Sequence, residues 1–220
     1  MNSLELAKYI DHSILHTDLT SSELRDFCQE AIPMGVFSVA INSYWVKEAL
    51  EYLKGTDILV DSSIGFPLGQ TDKNGKIAEA RHAVAAGCHE LDMVMNIGAL
   101  KSGYYDFVKE EISEIVKIAK GRIVKVIIET GLLNDDEKIK ATKLIIEAGA
   151  SFVKTSTGFN NIKGATVHDV KFLKKIATGR IKVKASGGMS NLKIVLSMID
   201  AGADRIGTKF TKDIMAELTE

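Results

Sequence analysis

The sequence predicts an α/β fold: a single-domain (β/α)8 TIM barrel spanning residues 1–220. Three observations carry this expectation. Short apolar runs alternate with longer amphipathic stretches along the whole chain. The runs are apolar on both faces, as strands of a parallel sheet covered by helices must be. Counting them gives eight, the number that closes a barrel in a chain of 220 residues.

The elements follow in order. "YIDHSIL" reads as the first strand, and "SELRDFCQEAIPM" as a helix with apolar spacing and a charged face. "VFSVAI" and "DILVDSSIG" are the second and third strands, the latter leading to the helix "KNGKIAEARHAVAA". "ELDMVMN" and "IVKVIIET" are the fourth and fifth, and "DDEKIKATKLIIEA" is the helix before the sixth, "SFVKTS". "IKVKA" and "DRIGT" complete the set. Only Pro33 and Pro67 interrupt the chain, and no Ser/Pro-rich or charged linker marks a domain boundary. A doubly wound open sheet is the structural alternative.

A repeat sharpens the barrel reading. "MGVFSVA", "AGCHELD", "AGASFVK" and "AGADRIG" each place a glycine five residues before a comparable strand position. A helix ending at a left-handed glycine, then a strand of fixed length, explains the spacing. From Gly35, Gly87, Gly149 and Gly202 the count arrives at Ala40, Asp92, Lys154 and Gly207. These fall on strands 2, 4, 6 and 8, and one layer of a barrel interior is built from alternate strands. Asp92 and Lys154 should therefore meet near the C-terminal mouth.

Lys154 ends an apolar strand, and Lys184 sits on the neighbouring strand just before Gly187 and Gly188. An amine in an apolar pocket loses solvation in its charged form, so its pKa falls, and a second ammonium lowers it further. A neutral amine attacks carbonyls and forms a Schiff base. Asp92 in the same layer is placed to shuttle the protons of carbinolamine formation and C–C cleavage. The competing structural reading is one lysine snorkelling to the rim and pairing with Asp92; two lysines converging on an aspartate weigh against it. Lys182 shares the Lys184 face but comes earlier, where snorkelling at the opposite end of the barrel suits it.

Glycine turns follow strands 7 and 8, in "ASGG" and "RIGTK". Barrels commonly cradle phosphate in those two loops, on backbone N–H groups. No phosphate loop of the nucleotide-hydrolase type and no dinucleotide fingerprint occurs. His12 and His16 lie at a strand end, so no metal site is expected. Cys28 and Cys88 show neither metal nor redox spacing and read as reduced thiols. The composition is 45% hydrophobic and 26% charged with net charge −1. With no basic block, nucleic acid is not an expected partner. No apolar run is long enough to span a bilayer, and "MNSLELAKYI" has no apolar signal core, so a cytoplasmic protein is expected.

"ELDMVMNIGALKSG", "VKVIIETGLL", "AGASFVKTSTGF", "GATVHDV", "VKASGG" and "AGADRIGT" together resemble the deoxyribose-phosphate aldolase family of class I aldolases. The likeness runs from "YIDHSIL" to about Thr208. It implies reversible cleavage of 2-deoxy-D-ribose 5-phosphate to acetaldehyde and D-glyceraldehyde 3-phosphate, without metal or organic cofactor. It also implies a cytoplasmic role in deoxyribose phosphate and nucleoside catabolism, and a possible homodimer. Lys154 matches the family's Schiff-base lysine, Lys184 its pKa-lowering lysine and Asp92 its proton-shuttling aspartate. Lys125 and Glu129 share a strand face and resemble polar residues lining the family's pocket; Asp11 matches the aspartate of the first-strand motif, and the resemblance implies that Lys125 and Asp11 bind substrate. Gly158, Gly187, Gly188 and Gly207 match backbone positions that hold the phosphate, beside which Lys209 could add a point charge.

The chain departs from the family pattern in four places. Ala40 stands where many members have cysteine, and Ser43 replaces a usual proline. Lys163 replaces a common glycine in "FNNIKGAT". Lys209 and Phe210 follow strand 8 where serine and a small or polar residue are usual. The segment "IMAELTE" lacks a tyrosine that some members use in proton transfer. These departures bear on phosphate affinity and turnover. Two other readings stand beside the favoured one: a Schiff-base aldolase for another phosphorylated sugar, and an inactive metabolite-binding barrel.

Overall fold

The computed structural model describes residues 1–159 and 162–218. Asn160 and Asn161 of "FNNIKGAT", and the last two residues of "IMAELTE", lie outside the described residues. Eight strands close a parallel barrel: β1 (Ile10–Ser13), β2 (Ser38–Asn42), β3 (Leu59–Ile64), β4 (Glu90–Val94), β5 (Ile123–Ile127), β6 (Phe152–Lys154), β7 (Lys182–Ser186) and β8 (Arg205–Thr208). They pair in sequence order, and β8 returns to β1 through Asp11↔Gly207. That closure excludes the open doubly wound sheet. Among the described residues, no helix is long and apolar enough to cross a membrane.

Local chemistry sets the element ends. Thr20 and Asn134 each form reciprocal capping boxes, with Glu23 and Glu137 respectively, at the starts of the helices Ser21–Met34 and Asp135–Glu147. The repeated glycines end helices as expected: φ is +60° at Gly35, +104° at Gly87, +82° at Gly149 and +104° at Gly202. An L side chain is strained in that region, which is why the repeat uses glycine. Each helix buries one stripe. Ser21–Met34 buries Leu24, Cys28 and Ala31, and Tyr105–Ala119 buries Val108, Ile112, Ile115 and Ala119.

The main hydrophobic core lies between barrel and helices, where Val39, Ile41, Val60, Leu91, Met93, Val124, Val126, Val153, Val183 and Ile206 are fully buried. Successive residues of a strand face opposite ways, so the alternate positions fill the barrel interior. The register, with the one-residue stagger per strand that closes such a barrel, sorts them into layers. Ala40, Asp92, Lys154 and Gly207 form one layer, as the glycine repeat predicts. Directly beneath it the odd strands supply Asp11, Asp61, Lys125 and Lys184. The next layer down holds Ser38, Glu90, Phe152 and Arg205. A barrel interior is ordinarily apolar; here the middle layer is wholly charged and the layers above and below it are each half charged.

Candidate active site

Lys154 is the last residue of β6, with only 4% of its surface exposed. Its Nζ donates to Asp92 Oδ2 at 2.6 Å. The same oxygen accepts from Lys184 Nζ at 2.7 Å, while Asp92 Oδ1 lies 2.9 Å from Lys125 Nζ. Lys184 Nζ also reaches Asp11 at 2.5 Å and Asp61 at 3.2 Å. Lys125 reaches Asp61 at 2.8 Å and Glu90 at 2.6 Å, and Arg205 joins Asp11 at 2.5 Å to Glu90 at 3.3 Å. Asp11, Asp61 and Glu90 converge closely enough to share a cation, and the Lys125 ammonium is the cation between them.

These contacts divide the amines electrostatically. Burial pulls Lys154 below the ordinary lysine value; Asp92 opposes that pull and the Lys184 ammonium adds to it. Burial also works against the charge of Lys184, yet Asp11 and Asp92 outweigh it and hold that ammonium above its ordinary value. Lys125 is likewise held charged, against burial, by the carboxylates around it. Burial would raise Asp92, but Lys125, Lys154 and Lys184 keep it ionised well below the usual range. Asp61 goes the other way: burial, with Asp92 beside it, pushes its carboxyl up to about 6. One amine is poised to become neutral next to two fixed cations.

A cavity of about 650 Å³ opens above Lys154 at the C-terminal mouth. Gly158, Gly187, Gly188, Gly207 and Lys209 line it, with Ile14, Phe27, Phe159 and Phe210 as apolar walls. Of the expected charged residues, Lys154 and Lys209 reach this cavity; Lys184 and Asp92 sit beneath its floor. Gly187 and Gly188 both have φ +83° in the turn after β7, and Gly158 has φ +78° after β6. Gly207 needs to be glycine for a different reason. A Cβ there would lie 3.0 Å from Ser186 Cβ and 3.2 Å from Lys184 Cε, so the missing side chain gives the Lys184 stem its room. Lys209 is exposed at the rim, its Nζ 5.2 Å from the Phe210 ring centre.

Several placements differ from the sequence expectations. Lys125 and Asp11 do not line the cavity; both are fully buried in the layer below, because their positions on odd strands put them one step deeper than Lys154. Glu129 parts from Lys125 because β5 ends at Ile127. It adopts φ +49°, and its carboxylate accepts from the Thr157 backbone N–H at 3.2 Å and from Thr157 Oγ1 at 2.5 Å. It thereby ties the β5 loop to the β6 loop and borders a second chamber of about 410 Å³. His12 is buried against Phe27, while His16 is exposed and pairs with Asp18. Lys182 is exposed at the other end of β7, its ammonium 5.8 Å from the centre of the Phe152 ring. Cys28 and Cys88 are buried, and burial pushes both thiols up to about 12.

Asp61, Glu90 and Arg205 escape the sequence reading. Each is a charge inside a strand run otherwise read as apolar, which is itself a signal, since such a charge costs several kcal/mol unless it is paired, about the same problem Lys154 poses.

The sequence pattern of the DeoC/LacD family aldolases matches residues 5–213. The deoxyribose-phosphate aldolase of Thermococcus gammatolerans is 52% identical over 212 residues, covering 94% of each chain. Among solved structures, the aldolase QR15 superposes with a TM-score of 0.93 at 44% identity, covering 98% of this chain and 96% of that one. A deoxyribose phosphate aldolase from Aeropyrum pernix, described as a unique tetramer, gives a TM-score of 0.92 at 32% identity, covering 100% and 93%. This chain belongs to the DeoC/LacD family of aldolases.

Proposed function

We propose that the chain is a class I aldolase that reversibly cleaves 2-deoxy-D-ribose 5-phosphate to acetaldehyde and D-glyceraldehyde 3-phosphate. The observation that carries the reading is Lys154: an amine with lowered basicity on the floor of a cavity of about 650 Å³, hydrogen-bonded to Asp92. As a neutral amine Lys154 adds to the substrate carbonyl, and loss of water gives an iminium. That iminium is the electron sink for C–C cleavage, so the reaction runs on side chains alone. Asp92 accepts and returns the protons of addition, dehydration and cleavage. Lys184 stays protonated, keeps Asp92 ionised and keeps Lys154 from holding its own proton. Lys125 and Asp11 act from below, fixing Asp92 and Lys184 rather than touching substrate.

The phosphate end of the substrate is assigned to the turn containing Gly187 and Gly188, which line the cavity with left-handed backbone, a conformation that can offer successive N–H groups to an anion. Gly158 and Gly207 keep that approach open, and Lys209 supplies a point charge at the rim. The cytoplasm, deoxyribose phosphate and nucleoside catabolism, and a homodimer belong to the same proposal, carried over from the resemblance. Light scattering separates a dimer from the tetramer described for the Aeropyrum relative. The activity is tested by following glyceraldehyde 3-phosphate released from the phosphorylated deoxy sugar, with Lys154→Met as the control. Release that depends on Lys154 supports the reading. No release from this sugar, with release from another phosphorylated aldose, would move the assignment to the apolar rim at Phe159 and Phe210 as the seat of a different specificity.

A further inference from the structure

A buried network is tolerable when its charges balance, since an unpaired one finds no water to compensate it. Among the described residues, the barrel interior sets the carboxylates of Asp11, Asp61, Glu90 and Asp92 against the cations of Lys125, Lys154, Lys184 and Arg205. With Lys154 protonated the two sets are equal. The proposed reaction, on which this inference rests, needs Lys154 as a neutral amine. That leaves one buried carboxylate without a counter-charge, and one of the four must then carry a proton.

Geometry selects which. Asp92 lies within 2.9 Å of three ammonium groups. Asp11 meets both Lys184 and Arg205 at 2.5 Å, and Glu90 meets Lys125 at 2.6 Å. Asp61 meets Lys125 at 2.8 Å and Lys184 at 3.2 Å, both through Oδ2. Its other oxygen, Oδ1, is buried with no hydrogen-bond partner; Asp11 Oδ2, Glu90 Oε2 and Asp92 Oδ1 are also without one, but each of those lies within 2.9 Å of a lysine ammonium. The groups facing Asp61 are Asp92 and Glu90 from β4, with the Cys88 thiol just before that strand, Lys125 from β5, Lys184 from β7 and Asp11 from β1; from β2 its neighbour is the uncharged Ala40. Its raised pKa, opposite in direction to those of Asp11 and Asp92, agrees with the geometry.

We propose that Asp61 takes up the proton that Lys154 gives up on becoming the nucleophile, so that activation of the amine is an internal, charge-neutral transfer. The Lys154 ammonium and Asp61 carboxylate become an amine and a carboxylic acid. The route is a chain of hydrogen bonds: Lys154 Nζ to Asp92 Oδ2 at 2.6 Å, Asp92 Oδ2 to Lys184 Nζ at 2.7 Å, and Lys184 Nζ to Asp61 Oδ2 at 3.2 Å. After the amine adds to a carbonyl, the carbinolamine loses its C–O bond and the nitrogen becomes a cationic iminium. The Asp61 proton returns along the chain and leaves with the hydroxyl as water, and the interior is balanced again. Asp61 touches no substrate; it is a positioning residue that acts through Lys184 and Asp92.

Infrared spectroscopy separates a protonated carboxyl from a carboxylate and requires no substrate. Lys154→Met fixes the neutral state of the site, and Lys154→Arg fixes the cationic one. Above neutral pH, Lys154→Met should show a protonated carboxyl that is absent from Lys154→Arg and from the Lys154→Met, Asp61→Asn double variant. Absence of that signal in Lys154→Met, or its survival in the double variant, overturns the proposal. The unsubstituted protein gives a second measurement that does not depend on variants folding. Competitive acetylation by acetic anhydride reports the pH at which Lys154 turns neutral, and the infrared titration reports when Asp61 ionises. Asp61 should still be protonated where Lys154 has become neutral; an ionised Asp61 at that pH overturns the proposal. Neither measurement uses an aldol substrate, so failure to cleave the deoxy sugar would count against the proposed reaction and not against the proton store.

Discussion

Lys154 and Lys184 are the same residue type on adjacent, paired strands, yet their surroundings push their basicity in opposite directions. Lys184 is wrapped by Asp11, Asp61 and Asp92, whereas Lys154 has Asp92 on one side and the cavity on the other. Replacing Lys184 with Leu removes a cation beside Lys154, which then keeps its proton to higher pH. The acidic limb of the pH–rate profile should move upward and the rate should fall; an unmoved limb would show that burial alone sets the amine. Asp92→Asn keeps the shape but cannot accept a proton. It should lower turnover by roughly 10²–10⁴, the usual range for a general acid–base group, with a much smaller change in KM. Near-normal turnover in that variant would place the proton shuttle elsewhere. Asp92 and Lys154 were legible in the sequence because a glycine at fixed distance marks their strand positions. Asp61 and Arg205 were not: each partner of theirs comes from a different strand, and no local pattern announces a contact between residues 11 and 205.

At the scale of the element, strand register decides which side chains face the substrate. The glycine repeat marks the even strands alone, so the layer of Ala40, Asp92, Lys154 and Gly207 could be read from the sequence. The odd-strand layer has no such marker, so nothing in the spacing corrected the resemblance that put Lys125 and Asp11 in the pocket; they lie beneath it. Gly207 on β8 shows how tightly the two layers mesh. A methyl group there would press on Ser186 Cβ and Lys184 Cε, at 3.0 and 3.2 Å. Gly207→Ala should cost about 1–3 kcal/mol, as overpacking of a filled interior does, and should lower turnover by displacing Lys184. Urea unfolding together with a rate measurement checks both effects. Unchanged stability with normal turnover would mean that the Lys184 stem has room that the register does not indicate.

Across the whole molecule, the closed barrel keeps charge where other proteins keep hydrocarbon, and its stability should respond to pH in opposing ways. His12 is buried, and burial pushes its imidazole from 6.5 down to about 4. The unfolded chain therefore binds the extra proton between those values, and His12 makes the fold less stable as pH falls through that window. Asp61 runs from an ordinary 3.8 up to about 6, so here the folded state binds the extra proton. Its contribution is in place at low pH and is lost as pH rises through about 6. Asn at position 61 does not titrate. The stability of Asp61→Asn relative to the parent should therefore shift in the variant's favour as pH rises from about 4 to above 6; a difference that stays flat with pH would contradict the buried-proton picture.

On the proposed reading, the charges of the barrel interior serve one end: a lysine amine of lowered basicity, desolvated and open to a cavity. Borohydride added during incubation with acetaldehyde, followed by peptide mass analysis, tests that end most directly. Reduction of the Schiff base should leave a two-carbon unit on the peptide "SFVKTSTGF", at Lys154. A label on Lys184, or no label on either lysine, would contradict the assignment of Lys154 as the nucleophile.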